Sequence, residues 1–340
     1  TGPDAAAFEV AAGVNPDSML LATARQRGIT RAATFPSAAR SLFAGFAALI
    51  DLGIPDAPVF VEQAAAYMEL GARGAQLAGG GRGASGALVE RLLAEAIRQK
   101  GSPAAFAGLN VEDMRVVGRI VRGDVPVVVR AQRRSDILEV VALKQRYPRL
   151  RMSLLHGNEA WKVAAGLAAA GIPVILDSYD NLPLDFDQLA STQLSAARLS
   201  AAGVMVLIAP LSRSSASVPH NSRRLAQYAG NAVAHGLDWE QALKAITLYP
   251  ARIYGVERDL GSLEAGKIAD VVIWNGDPLQ LSSRPKAVFI AGKPMSLQTR
   301  QSLLRERYRD PAHPDRTGDL RERAPREASA QASSGQASSH

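Results

Sequence analysis

The hydrophobic pattern changes character along this chain, and the change divides it. In the middle, unbroken apolar runs alternate with stretches of helical periodicity. The run at residues 125–129 precedes a helical pattern at 136–145, and the run at 150–155 precedes one at 159–170. The run at 172–176 is followed by a loop and a helix over 188–201, and that at 204–209 by helices over 222–235 and 239–247. Runs this short and this uniformly apolar predict strands buried on both faces. Repeated strand–helix units predict either a barrel or a doubly wound sheet. Upstream, the pattern predicts a helix over 17–27, a strand over 29–35 and an amphipathic helix over 84–100. Beyond Ile268 it shifts to short strands, 270–274 and 287–290, with turn sequences Asn275-Gly276-Asp277-Pro278 and Ala291-Gly292-Lys293-Pro294. From about Arg309 the chain is mostly Arg, Glu, Pro, Ser, Gln and Ala. Such a segment buries too little apolar surface to offset its ordering entropy, which predicts disorder.

Composition narrows the picture. The chain has 340 residues, 47% of them hydrophobic, enough for one large domain with a small companion. No apolar run reaches the roughly 18–20 residues that span a membrane. The absence of Cys excludes disulfides and thiolate metal sites. The net charge of +7 invites a nucleic-acid reading, but the arginines are scattered over 115–122, 130–134, 146–151 and 300–326, and aromatics are only 5%. A dispersed charge with few stacking platforms argues against nucleic acid as a partner. The chain opens on Thr, and no signal-peptide pattern follows, so the expectation is a processed or truncated product or an incomplete gene sequence.

The most informative stretch is Gly261-Ser-Leu-Glu-Ala-Gly-Lys-Ile-Ala-Asp-Val-Val-Ile-Trp-Asn-Gly-Asp-Pro278. It reads as a tight turn, a basic knuckle, an apolar strand and a second turn, with Lys267 as a solvated turn residue. This stretch resembles the C-terminal signature of the amidohydrolase superfamily. Asn15-Pro-Asp-Ser18, Gly28-Ile-Thr30 and Phe43-Ala-Gly45 resemble the early barrel of a bacterial subgroup near imidazolonepropionase-like and prolidase-like members. His156-Gly-Asn-Glu-Ala-Trp161, Ala229-Gly-Asn-Ala-Val-Ala234 and Thr247-Leu-Tyr-Pro-Ala251 resemble its later half. The resemblance implies an α/β fold: a TIM-like barrel over residues 1–260, lacking its first strand in this chain, and part of a β-sandwich over 261–300. A terminal helix and a disordered tail follow over 301–340. Unpaired edges on such a barrel predict self-association.

The same resemblance implies metal-activated hydrolysis of a C–N bond in a small amide, ureido or dipeptide-like substrate, with a zinc-type divalent cation. Bound water becomes a nucleophile near neutral pH when the metal keeps an open coordination position. In that family the ligands are a His-x-His pair on the first strand, a bridging Lys or Glu after the fourth, His after the fifth and sixth, and Asp after the eighth. Carried over residue by residue, His156 matches the sixth-strand ligand. Arg130 stands where the fifth-strand His belongs, and Gln132 where close relatives carry a further His. No Asp or Glu occurs from Val204 to Leu237, and no His precedes His156. The metal set is therefore degenerate, and the rival expectation is a metal-free binding scaffold or a truncated, inactive product. Arg130, His220 and Asn221 are the candidate substrate-binding residues, although His220-Asn221 also suits a helix start. His156 alternatively reads as a structural histidine. Asp177 and Asp180, after the seventh strand, could offer a carboxylate beside it. Glu159 reads as a first-turn helix charge, and the Gly-rich segment 79–83 as a flexible connection without the ending of a phosphate loop.

Overall fold

The structure is a computed structural model that describes residues 5–54, 56–211 and 222–309. His220, Asn221 and the tail from 310 lie outside the described residues.

Seven strands form one sheet in chain order: β1 (Arg31–Thr34), β2 (Phe43–Asp51), β3 (Val59–Glu69), β4 (Val127–Ala131), β5 (Met152–His156), β6 (Val174–Leu176) and β7 (Val206–Ile208). Strand β2 runs antiparallel to both β1 and β3, and β3 through β7 are parallel. Helices α2 (Gly71–Leu77), α3 (Arg82–Arg98) and α4 (Val111–Arg122) connect β3 to β4. Helix α5 (Arg134–Arg146) follows β4, and α6 (Ala164–Ala169) follows β5 after a 3-10 turn. Helix α7 (Ser195–Ala201) follows β6; α8 (Leu225–Ala234), α9 (Trp239–Ala245) and α10 (Leu248–Tyr254) follow β7. Among the described residues no ladder joins β7 to β1, so the sheet is an open barrel wall.

Alternation along the parallel strands sorts side chains into two layers. Val128, Leu155, Ile175 and Leu207 pack with Ala65 and Tyr67 on the inner face. Their neighbours Val127, Val129, Leu154, Val174, Leu176, Val206 and Ile208 join the larger outer core against the helices. Strand period two explains the sorting, and a TIM-like interior is filled in this way by side chains rather than left hollow. Arg130, Glu69 and Asp177 continue the inward parity of Val128, Tyr67 and Ile175, so the topology carries them to the C-terminal mouth.

The long β2–β3 pair is not foreshadowed by the hydrophobic pattern. Both strands are rich in Ala, and β2 is buried throughout. Gly45 in β2 has φ of +115°, and a Cβ there would come within 2.3 Å of the Phe8 carbonyl oxygen. That oxygen accepts the Phe46 N–H at 2.7 Å, so the N-terminal segment lies along β2 where only glycine allows it. The predicted helix over 188–201 begins only at Ser195. Before it, Asp185 and Thr192 accept the N–H groups of Asp187 and Leu194, side-chain turns that compete with a helix.

A three-stranded antiparallel sheet, β8 (Val271–Trp274), β9 (Pro285–Ile290) and β10 (Lys293–Pro294), forms where the short strands are expected. Its Val288 and Ile290 pack on Ile50, Leu52 and Ala24 of α1 (Met19–Arg25). Arg31 ties the two sheets, reaching Asp51 at 2.9 Å and Asp270 at 2.7 Å. Lys267 is not the solvated residue its turn suggests: its side chain is 13% exposed, and Nζ donates to the Glu257 carbonyl at 2.8 Å. The compact unit extends to Leu297. The second unit, from Gln298, contains α11 (Arg300–Tyr308), opened by a Thr299–Ser302 capping box. No helix of the described residues is long and apolar enough to cross a membrane.

Candidate active site at the barrel mouth

The mouth is built where β3, β4, β5 and β6 end. Pairing places Glu69 opposite Arg130, and Ala131 opposite His156. Glu69 is buried, and its Oε1 accepts the Tyr67 hydroxyl at 3.2 Å and Arg130 Nη1 at 3.4 Å. Burial raises the Glu69 carboxyl above the usual range, against the opposing pull of Arg130. Arg130 Nε is buried and has no hydrogen-bond partner. A donor left unsatisfied in this way is costly, and it is aimed into the mouth by the strand parity described above.

His156 closes β5 with φ of +73°, and Gly157 follows at +53°. Two successive left-handed residues turn the chain sharply, and the Gly157 N–H returns to the Ala131 carbonyl at 3.0 Å. Burial first, and the Arg130 charge second, push the His156 imidazole down to about 3. It is therefore neutral at physiological pH, able to donate from one ring nitrogen and accept at the other.

The neighbouring carboxylates have other work. Asp177 accepts the Tyr179 N–H at 2.9 Å and the Leu211 N–H at 3.1 Å, tying the loops after β6 and β7. Asp180 accepts from Asn158 at 3.0 Å. Glu159 accepts the Arg134 N–H at 2.8 Å at the start of α5 and Lys162 at 2.8 Å, which is a helix-terminus role. Arg82, inside the Gly-rich segment, opens α3 and binds both Asp187 oxygens at 2.6 and 2.7 Å while pairing with Asp136. That segment is anchored at Arg82, although Gly79 and Gly80 have open space around them. The loop after β6 also exposes Leu182, Leu184, Phe186 and Leu189.

The structure thus brings Arg130 and His156 to one mouth. Glu69, which no motif singles out, joins them; its signal in the sequence is a lone carboxylate closing an otherwise apolar Ala-Ala-Ala-Tyr-Met run. Among the described residues no group of three or more His, Asp or Glu side chains could hold a metal ion. Glu69 is engaged by Arg130 and Tyr67, Asp177 by two backbone N–H groups, and His156 is a single imidazole beside a guanidinium. These residues by themselves do not fit a zinc-type ion, which usually takes three protein ligands and a water.

Comparison with known proteins agrees with this architecture. The amidohydrolase family profile matches residues 154–296. A solved amidohydrolase from Thermotoga maritima superposes with a TM-score of 0.75 at 23% identity, covering 87% of this chain and 79% of that one. At that identity the likeness establishes the fold, an amidohydrolase-type TIM-like barrel. An amidohydrolase from Hapsidospora irregularis is 35% identical over 72 residues, 21% of this chain. An imidazolonepropionase from Legionella pneumophila is 51% identical over 35 residues, 10% of this chain. The chain spans only 7% and 9% of the length of these curated relatives. Residues 154–296 are thus similar to the amidohydrolase family, and the chain has the amidohydrolase-type barrel fold.

Proposed function

We propose that the barrel mouth binds a small amide, ureido or dipeptide-like compound through a carboxylate held by Arg130. The scaffold derives from metal-dependent hydrolases of C–N bonds, but the described residues do not supply a metal's ligands. The observation that carries this is Arg130, a permanent cation at the end of β4 with a buried, unpartnered Nε between Glu69 and His156. A guanidinium matches a carboxylate in a two-point fork and repels a divalent cation. Glu69 orients the guanidinium, Tyr67 orients Glu69, and the neutral His156 is available to the ligand's amide. The exposed apolar side chains of the loop after β6 suit the rest of such a ligand.

A second reading, metal-activated hydrolysis with His156 as one ligand, is favoured by the likeness to amidohydrolases and by His156's place at the end of β5. It requires donors from outside the described residues, His220 being one candidate. The two are separated by dialysing the purified chain against zinc and measuring metal, then titrating an N-acetyl amino acid by calorimetry. Binding that saturates, is lost in Arg130→Gln and needs no metal is the expected result. About one firmly held ion per chain, lost in His156→Ala, would instead return the protein to the metal-dependent hydrolases.

A further inference from the structure

A second cation-lined feature shares none of its lining residues with the mouth. The end of α1, the 3-10 turn Ser222–Arg224 with the start of α8, and the segment joining β8 to β9 border an open cleft of about 220 Å³ whose arginines are exposed. Arg27, Arg223, Arg224 and Arg284 line it together with Trp274 and Gln227. No Asp or Glu is among its lining residues. The carboxylate next in sequence to the lining, Asp277, is committed: it accepts Trp239 Nε1 at 3.1 Å and the Leu279 N–H at 2.9 Å. Among the described residues, no carboxylate forms an ion pair with Arg27, Arg223, Arg224 or Arg284. Arg284 is fixed by donating Nη1 to the carbonyls of Leu281 at 2.5 Å and Ser283 at 2.7 Å. That leaves the rest of its fork for a ligand.

Like charges do not gather in a concave site without cost. Burial, then Arg284 and Arg223, hold the Arg27 guanidinium below its ordinary pKa, so the cations feel one another across the cleft. An anion would relieve that repulsion. A carboxylate brings one charge and two acceptor oxygens; a phosphate brings nearly two charges and three acceptors, the better match to several guanidinia. The apolar wall of Trp274, Leu281 and Pro285 leaves space for more than the phosphate itself.

We propose that this cleft is a binding site for a phosphate monoester, its phosphate held by Arg27, Arg223, Arg224 and Arg284 and its organic part against Trp274. Its lining includes neither Arg130, Glu69 nor His156.

The test titrates the full chain with phenyl phosphate and, separately, with inorganic phosphate, at about 0.15 M salt so that long-range attraction is screened. Phenyl phosphate should saturate at one per chain and bind more tightly than inorganic phosphate. Affinity should fall at least about ten-fold in Arg27→Gln/Arg284→Gln and in Arg223→Gln/Arg224→Gln. It should be unchanged in Arg130→Gln and in the surface control Arg115→Gln. The two double variants alter different elements, so misfolding of one leaves the other decisive. Absence of saturation would overturn the site. So would an equal loss in Arg115→Gln, which would make the effect one of net charge, or a loss confined to Arg130→Gln, which would place the anion in the mouth. Equal affinity for the two probes would overturn the organic part of the ligand.

Discussion

Two groups of arginines meet opposite fates in this molecule. Arg31, Arg82 and Arg130 each face a carboxylate that folding has buried: Asp51, Asp136 with Asp187, and Glu69. Arg27, Arg223, Arg224 and Arg284 share a cleft with none. Composition does not distinguish the groups, since all contribute equally to the net charge. What separates them is whether the topology brings an acid alongside. Where it does, the cation belongs to the framework, and removing it strands a buried anion. Where it does not, the cation is free for recognition, and removing it relieves repulsion.

The largest expected effect lies in the first group. Arg82→Gln leaves Asp136 buried without its salt bridge and Asp187 with only the longer contact to Arg133 at 3.7 Å, and should cost about 3 kcal/mol. Urea denaturation would show this as a lower midpoint at unchanged slope; a loss under about 1 kcal/mol would move Arg82 into the unpaired class. Arg130→Met should cost less, about 2 kcal/mol at pH 7, because Glu69 can escape by taking a proton. Its sign with pH is definite. The folded-state pKa of Glu69 is already raised by burial and rises further without Arg130. The folded protein then holds a proton that the unfolded chain has released, so the deficit should shrink between pH 7 and pH 5. A deficit that grows on acidification would show that Arg130 and Glu69 are not coupled.

His156 works in the other direction. Its folded pKa of about 3 lies below the unfolded value of 6.5. Its contribution is complete above pH 6.5 and is lost as pH falls toward 3, by roughly 1–2 kcal/mol at pH 5. His156→Asn should flatten that part of the stability profile, and an unchanged slope would mean that the imidazole is solvated. The smallest effect belongs to the unpaired group. Arg223→Gln should change stability by no more than about 0.5 kcal/mol, toward greater stability, and the change should fade with added salt.

The sequence disclosed these regions unequally. The parallel strands were legible because burial on both faces makes them continuous apolar runs, as at 125–129 and Val174–Leu176. The β2–β3 pair was not. Ala44, Ala47, Ala48, Ala64, Ala65 and Ala66 fill positions on both faces of those strands, which erases alternation, and alanine intrinsically favours helix. Glu69 was lost with β3, since a carboxylate at a strand end can be placed only once the strand is known. His156 and Arg130 were legible because they end recognisable apolar runs. The pairing of Arg82 with Asp187 spans 105 positions and has no local sign. The cleft was equally hidden, because its arginines come from three separated segments that periodicity alone does not bring together.

The left-handed turn at His156 also bears on how the position can drift. Side chains that tolerate such a backbone are few: glycine, and among the others chiefly Asn, Asp and His. A β-branched residue would meet its own carbonyl there whatever the chemistry of the mouth. Histidine can therefore persist at this position through selection on chain geometry alone, after any catalytic demand has lapsed. A saturation library at residue 156, scored only for soluble expression, should retain His, Asn, Asp and Gly and discard Val, Ile and Thr. An imidazole here would then suit the way the strand ends whether or not the mouth turns over a substrate.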